Sequence, residues 1–126
     1  MKKLLVLLFS LLISFNSYGV DWIKVSSTVD KDDFYVDINS IKKNNDFVYV
    51  WILMDSIKPD SYGDLSNKIL YETKCIAPYK FRGISWHYYK LPMGQGSADS
   101  NSLVGDWKYS IPGSSRETIL NFICDQ

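Results

Sequence analysis

The chain contains only two cysteines, Cys75 and Cys124, and their positions limit the folds open to it. Cys75 lies at the end of a strand-like run, Ile69 to Ile76, and Cys124 lies in a C-terminal stretch, residues 112–126. In an oxidising compartment an even pair of cysteines most simply forms a disulfide. Two distant cysteines and a single histidine do not suit structural zinc, which prefers four ligands in paired spacings. The pair therefore predicts a Cys75–Cys124 disulfide that ties the C-terminal stretch to a strand.

The start of the chain has the pattern of an export signal. A basic start is followed by an apolar run over residues 4–15 and then by small residues. We therefore expect a signal peptide over residues 1–19, cleaved after Gly19. The run is shorter than the about 20 apolar residues of a membrane-spanning helix, which disfavours the alternative of an uncleaved anchor. Because no cysteine follows the run, we expect a periplasmic or secreted protein that is not lipid-anchored, with no transmembrane segment in the mature chain.

The C-terminal stretch, residues 112–126, has the pattern of a short amphipathic helix. Ser114 and Glu117 have the spacing of a capping box, in which each side chain satisfies a free backbone N–H. At about 100° per residue, one arc of this helix carries apolar residues: Ile119, Leu120, Phe122, Ile123 and Cys124. Arg116 interrupts the arc, but its stem can carry the charge out to water. A helix this short is marginal alone, so the alternative to a helix packed on a sheet is a frayed tail.

The remainder of the mature chain, residues 20–126, has the pattern of one domain rich in strands. Alternating or apolar runs predict strands at 21–27, 34–38, 47–56, 66–76, 80–91 and 107–111. Residues 39–46 are expected to form an irregular excursion with a turn at Asn44–Asn45, and residues 93–105 a mobile loop. The predicted class is α+β, mainly β. We expect an antiparallel sheet of about six strands, with the C-terminal helix tethered to one face by the disulfide.

The run Phe47 to Ser56 is apolar on both sides. Phe47, Tyr49, Trp51 and Leu53 share one side, and Val48, Val50, Ile52 and Met54 share the other. In an antiparallel sheet both faces of such a strand must then be covered. The helix covers one face, which should also carry Tyr71 and Cys75. The other face needs sheet curvature, a long loop, a second copy of the chain or a ligand, so a homodimer remains open.

The sequence contains no recognisable catalytic, metal or cofactor motif. His87 is the only histidine, and because no nucleophile motif accompanies it, a plain strand histidine is favoured over a catalytic one. Residues 93–96 lack the lysine of a phosphate-binding loop, and Asp30, Asp32 and Asp33 lack the spacing of a calcium loop. We therefore expect no enzyme, no catalytic residues, no metal and no cofactor. The formal net charge of +0 argues against nucleic acid as a partner.

Aromatic residues in the C-terminal half of the chain are the candidates for partner binding. They are Trp86, Tyr88, Trp107 and Tyr109, together with Tyr89. Aromatic residues on strands usually belong to the core, and that is the alternative interpretation. If some project from the sheet or its rim, they form an anchor patch for a protein partner.

The order and spacing of residues along almost the whole mature chain resemble the surface-adhesin protein E family of Gram-negative bacteria. The matching residues are Trp22, 34–37, 40–42, Val50, Trp51, Tyr71, Cys75, Tyr89, 93–96, Trp107, Pro112, Ser114 and Cys124. The resemblance implies an antiparallel sheet whose concave side holds a C-terminal helix through the Cys75–Cys124 disulfide. It also implies an adhesin that binds host matrix proteins and can dimerise, although the lipidated cysteine of the family's namesake is absent here.

These observations together predict an exported, non-enzymatic, adhesin-like binding module. It would engage protein partners, host matrix or envelope proteins, through its sheet surface and aromatic residues. The alternative is a periplasmic structural or enzyme-inhibitor-like protein. A small enzyme is the third reading, and a cleft with converging polar groups around His87 would favour it.

Overall fold

In a computed structural model, which describes residues 19–126, the chain forms an antiparallel sheet of eight strands and a C-terminal helix. The predicted signal peptide, residues 1–19, lies outside the described residues apart from Gly19. The elements are β1 (Trp22–Ser27), β2 (Asp33–Asp37), β3 (Lys42–Asn44), β4 (Phe47–Asp55), β5 (Ser66–Lys74), β6 (Lys80–Tyr89), β7 (Ala98–Asn101), β8 (Lys108–Tyr109) and α1 (Ser115–Cys124). Single turns of 3-10 helix lie at Ile38–Ser40 and Pro92–Gly94.

The main path of the sheet runs in the order β1-β2-β4-β5-β6-β7. β3 pairs with the first residues of β4, and β8 pairs with the first residues of β6. Nearly every neighbour in the sheet is therefore also close in the chain. The predicted class is confirmed, and each of the predicted strands is present with shifts of a few residues at its ends.

β3 and β7 were not predicted. Every residue of both strands is exposed, so neither carries the apolar alternation that marks a half-buried strand. Each is held by its backbone along the margin of a longer strand instead. The expectation of a mobile loop over residues 93–105 is therefore wrong, because β7 pairs with residues 86–89 of β6. The turn before β4 is as predicted, with Asn45 at φ 56°.

The core lies between the sheet and α1. Ile119, Leu120 and Ile123 are buried on the helix and pack in one cluster with Val50 and Tyr71 of the sheet. The predicted cap is present: Ser114 Oγ accepts from the backbone N–H of Glu117 at 3.2 Å. The Glu117 carboxylate in turn accepts from the backbone N–H of Gly113, also at 3.2 Å. The helix thus begins where its two capping side chains satisfy free N–H groups.

Arg116 lies over the core rather than extending away from it. Its guanidinium is 5.0 Å from the centre of the Phe81 ring and 5.5 Å from that of Tyr71. A guanidinium at this distance over an aromatic face is attracted by the ring electrons. The one charged residue on the apolar arc of α1 therefore covers the edge of the core instead of interrupting it.

The helix is fixed to the sheet by the predicted disulfide between Cys75 and Cys124. Their Cα atoms are 5.4 Å apart although 49 residues separate them in sequence. The backbone N–H of Cys75 donates to the carbonyl of Asp46 at 2.8 Å, which holds the end of β5 beside the start of β4. The alternative of a frayed tail is therefore wrong for this chain.

Candidate functional site

The face of the sheet opposite α1 carries a mixture of aromatic and charged residues. Because residues paired across antiparallel strands share a face, the pairs Trp22–Asp37 and Leu53–Lys68 lie on one side. His87 pairs with Lys68 and joins them. We call this side the open face.

Loops cover both ends of the open face. At one end the 3-10 turn Pro92–Gly94 folds over β4 and β5, where the backbone N–H of Met93 donates to Asp55 Oδ1 at 2.7 Å. Leu53 is fully buried beneath this end. At the other end the Trp107 ring lies 6.1 Å from that of Phe47. The sequence left open whether sheet curvature, a long loop, a second copy of the chain or a ligand covers this face. In the structure, loop residues cover its two ends.

Between these covers the open face holds a pocket of about 250 Å³. Val20 precedes β1, and the other lining residues come from β1, β2, β4, β5 and β6: Trp22, Asp37, Trp51, Lys68, His87 and Tyr89. Five neighbouring strands thus each contribute a side chain to one concavity in the middle of the sheet. Such a concavity with aromatic walls and a few polar groups is the usual form of a small-ligand site.

Lys68 provides the positive charge of the pocket. Its Nζ lies 5.1 Å from the centre of the Tyr89 ring and 5.7 Å from that of Trp22. The ion pairs found in the described part of the chain involve Lys24, Arg82 and Lys90, so Lys68 has no carboxylate within 4.0 Å there. The ammonium is therefore held between two ring faces rather than by an anion.

Asp37 provides a negative charge that the backbone fixes in position. Its side chain is buried, and Oδ1 accepts from the backbone N–H groups of Asp21 and Asn39, each at 3.1 Å. The carboxylate thereby caps the 3-10 turn that follows β2. This wall of the pocket therefore presents a carboxylate whose position is set by two backbone N–H groups.

His87 lies between two serines and a tryptophan. Its Nδ1 is 2.6 Å from Ser100 Oγ, its Nε2 is 3.3 Å from Ser85 Oγ, and its ring is 5.5 Å from that of Trp51. A histidine that serves as a general base in a triad is oriented by a third group, commonly a carboxylate. Here serine hydroxyls occupy both ring nitrogens, so the arrangement favours a histidine that shapes the pocket wall.

A network of polar groups separates the pocket from the Trp107 end of the open face. Tyr49 donates to Glu72 Oε2 at 2.6 Å, and Arg82 donates to Glu72 Oε1 at 2.6 Å. The hydrogen bond to the Glu72 carboxylate raises the pKa of the Tyr49 hydroxyl. The Arg82 guanidinium lies 4.4 Å from the centre of the Trp107 ring. These side chains contact one another and fill this part of the open face, in contrast to the concave pocket beside it.

The aromatic residues singled out from the sequence do not form one patch. Trp86 and Tyr88 lie on the α1 side of β6, opposite Ile69 and Asn67 of β5. The Trp86 ring packs so close to Gly83 that a β-carbon there would overlap it. Both residues are half-buried.

The remaining candidates lie elsewhere. Trp107 is half-buried against Arg82 at the end of the open face, and Tyr89 lines the pocket. Tyr109 is paired with Lys80 at the margin of β6 and is 63% exposed. The aromatic residues thus lie in four different surroundings, and Tyr109 is the most exposed of them.

Tyr109 belongs to a segment with several large exposed apolar side chains. Between β7 and α1, residues 103–111 contain Leu103, Val104 and Ile111, exposed by 76%, 60% and 75%. We call residues 103–111 the edge segment, because it follows the β6 margin of the sheet. The backbone N–H of Gly105 donates to the Gly83 carbonyl at 2.9 Å and anchors it there.

The sequence predicted Trp86, Tyr88, Trp107 and Tyr109 as binding residues but did not predict the pocket. Of the residues that line the pocket, Tyr89 was a candidate for binding, and His87 was weighed as a catalytic residue. Lys68 gave the clearest available signal, because alternation places it on the face that also carries Trp51 and Leu53 of the neighbouring strand. A lysine on a face that also carries large apolar side chains indicates one of two things. Either its stem packs on them while its ammonium reaches water, or the ammonium belongs to a binding site.

The fold and its surfaces define a class of protein: a disulfide-fastened antiparallel sheet with one helix, presenting an aromatic open face and an apolar edge segment. A family model, surface-adhesin protein E, matches residues 22–125. The chain therefore belongs to the surface-adhesin protein E family, as its resemblance implied. No curated protein sequence matches the chain.

Solved structures of Haemophilus influenzae protein E share the fold. One, at 17% sequence identity and a TM-score of 0.62, covers 86% of this chain and 90% of its own. A second crystal form gives a TM-score of 0.64 at the same identity, with 86% of this chain and 94% of the other covered. At this level of identity the likeness establishes the arrangement of strands and helix.

The family is one of surface adhesins, which implies an exported or surface protein. Within residues 19–126, no helix combines the length and the apolar character that crossing a membrane requires.

Proposed function

We propose that the protein is an exported, non-enzymatic, adhesin-like module that binds an extracellular or envelope protein through its edge segment. The observation that supports this proposal most strongly is the exposure of four large apolar side chains in the nine-residue edge segment: Leu103, Val104, Tyr109 and Ile111. Backbone hydrogen bonds hold this segment to the sheet. Scattered exposed apolar residues are ordinary, but a concentration of them is typical of a contact surface. Membership of an adhesin family supports this use of the segment.

Tyr109 is the expected anchor of this contact. Tyrosine combines a large apolar ring with a hydroxyl, and it is over-represented among the residues that dominate binding energy. Pairing of β8 with β6 holds its backbone in place, so little ordering of the chain is needed on binding. Trp86 is proposed to support the segment from below, because its ring lies close to Gly105. Trp107 belongs to the segment and is half-buried, whereas Tyr88 lines a hollow with Tyr62 and Asp99, outside the proposed contact.

The test is solid-phase binding of the exported protein to a panel of extracellular-matrix and envelope proteins. With a partner in hand, Tyr109→Ala should weaken binding by about tenfold. Tyr62→Ala is the matched control, since Tyr62 is 82% exposed on the distant β4–β5 loop and should leave affinity unchanged. No binding to any panel member, or equal loss in both variants, contradicts the proposal.

Export after cleavage at Gly19 is part of this proposal, as is a mature chain without a lipid anchor. Cell fractionation with mass measurement of the mature protein tests both. A protein found wholly in the periplasm, bound to an envelope enzyme, would instead favour the structural or inhibitor-like alternative. In the same assays His87→Ala should retain binding to the protein partner, because His87 lies on the open face away from the edge segment.

A further inference from the structure

We propose that the pocket on the open face binds a single acidic sugar residue, a hydroxylated ring that carries one carboxylate. This site is separate from the edge segment, and neither depends on the other. The inference rests on the chemistry of Lys68, the aromatic walls and Asp37.

Lys68 supplies a cation for the carboxylate of the ligand. Its ammonium has no carboxylate within 4.0 Å among the described residues, and the rings of Trp22 and Tyr89 replace part of its water. A charged donor in partly apolar surroundings forms stronger hydrogen bonds to an anion than one in bulk water. The cation is also held in place before any ligand arrives, which lowers the entropy cost of binding.

The walls of the pocket suit a sugar ring in both shape and chemistry. Trp22, Trp51 and Tyr89 give the pocket aromatic surfaces, whose negatively polarised faces attract the C–H groups of a saturated ring. The volume of about 250 Å³ corresponds to about eight water molecules. That space accepts one sugar ring, whereas a folded protein surface contacts far more area than this pocket offers.

Asp37 lies in the same pocket lining as Lys68. A fixed carboxylate repels a ligand of high negative charge, such as a phosphate group or a polyanion. It accepts hydrogen bonds readily from hydroxyl groups. A ligand that places one carboxylate at Lys68 and hydroxyls toward Asp37 and His87 satisfies both charges. A sugar acid has this distribution of groups, whereas a simple fatty or aromatic acid lacks the hydroxyls.

The experiment uses the exported protein and records amide and indole NMR shifts during titration with N-acetylneuraminic acid and, separately, glucuronic acid. The two arms distinguish a nine-carbon from a six-carbon acid. Acetate and glucose serve as probes of the carboxylate alone and of the ring alone. We expect saturable shifts of the Trp22 and Trp51 indole signals with at least one acid, and binding at least about tenfold weaker for acetate and glucose.

Lys68→Gln tests the role of the ammonium, and Lys74→Gln is its matched control. Lys74 lies on the same strand and the same face, six residues away, but outside the pocket lining. Lys68→Gln should weaken binding of the acid by about tenfold or more, and Lys74→Gln by less than about twofold. No shift with either acid, equal effects of the two substitutions, or glucose binding as well as the acids overturns the proposal. Protein-partner binding that survives in Lys68→Gln distinguishes this site from the edge segment.

Discussion

The backbone of Gly94 packs directly against the side chain of Lys68, so that a β-carbon at this position would overlap Lys68 Cε. Gly94 has a φ of 67°, which glycine adopts without strain, and its N–H donates to Ser66 Oγ at 2.8 Å. The turn over the end of the open face therefore also determines where the ammonium of the pocket lies. Gly94, in a loop, thus helps to position the ammonium of Lys68 on β5.

Gly94→Ala should displace Lys68 and weaken binding of the acidic sugar by about tenfold, since the ammonium is the proposed contact of the carboxylate. Gly63→Ala is the matched control. Gly63 has a comparable φ of 82°, but nothing lies within 4 Å of its added β-carbon. Both variants should lose about 1–2 kcal/mol of unfolding free energy from the left-handed backbone. NMR titration and urea unfolding measure the two effects, and weakened sugar binding in both variants would contradict the role given to Lys68.

Ser114→Ala should lower the free energy of unfolding by about 1 kcal/mol, because it removes the acceptor for the backbone N–H of Glu117. Ser115→Ala is the neighbouring control. Ser115 is the first residue of α1, and no side-chain hydrogen bond of it is found among the described residues. Since alanine favours a helix, this control should leave stability unchanged or slightly raised. Urea unfolding followed by circular dichroism measures both, and equal losses would count against the cap.

Loss of the disulfide should cost up to about 4 kcal/mol, the chain-entropy value for a loop of this length. The cysteines are 49 residues apart, and one of them ends the only α-helix in residues 19–126. Because α1 is too short to persist alone, its amides should lose protection from hydrogen exchange before those of β4 and β5. Urea unfolding and exchange with and without reductant measure this. The double variant Cys75→Ala/Cys124→Ala is the control, and reductant should not change its unfolding or its exchange. If the α1 amides of the parent protein were equally protected with and without reductant, the prediction would be wrong.

What could be predicted from sequence was encoded by neighbouring residues. The cap of α1 needs only Ser114 and Glu117, three positions apart, and the faces of β4 and β5 follow from alternation. The disulfide followed from there being two cysteines and an expected oxidising compartment. For the cap and the strand faces, the signal and the structure occupy the same short piece of chain, whereas the disulfide joins residues 49 apart and followed from the cysteine count alone.

The pocket could not be predicted, because its residues meet through strand order and register. Trp22 on β1 and Lys68 on β5 are separated by β2 and β4 in the sheet, and no local pattern in the sequence indicates that their side chains meet. A shift of one residue in any of these pairings would turn the side chains to the opposite face. β7 was missed for a related reason, since a strand held by its backbone alone leaves no apolar pattern. Arg116 was expected to extend its stem to water from the first turn of α1. Its aromatic partners, Tyr71 on β5 and Phe81 on β6, are distant in sequence, so no local pattern revealed them.

Tyr71→Phe should make the protein less sensitive to alkaline pH. Tyr71 is buried, and burial raises the pKa of its hydroxyl above the ordinary value of 10.0, an effect that the charge of Arg116 opposes. As pH rises, the unfolded chain therefore releases this proton first, so the stabilising contribution is complete below 10.0 and is lost as pH rises toward the folded-state pKa. Urea unfolding between about pH 8 and about pH 11 should show a shallower decline in Tyr71→Phe than in the parent protein. Tyr62→Phe, at an exposed position, should decline like the parent. Identical curves for all three proteins would mean that Tyr71 ionises in the folded state as readily as in the unfolded chain.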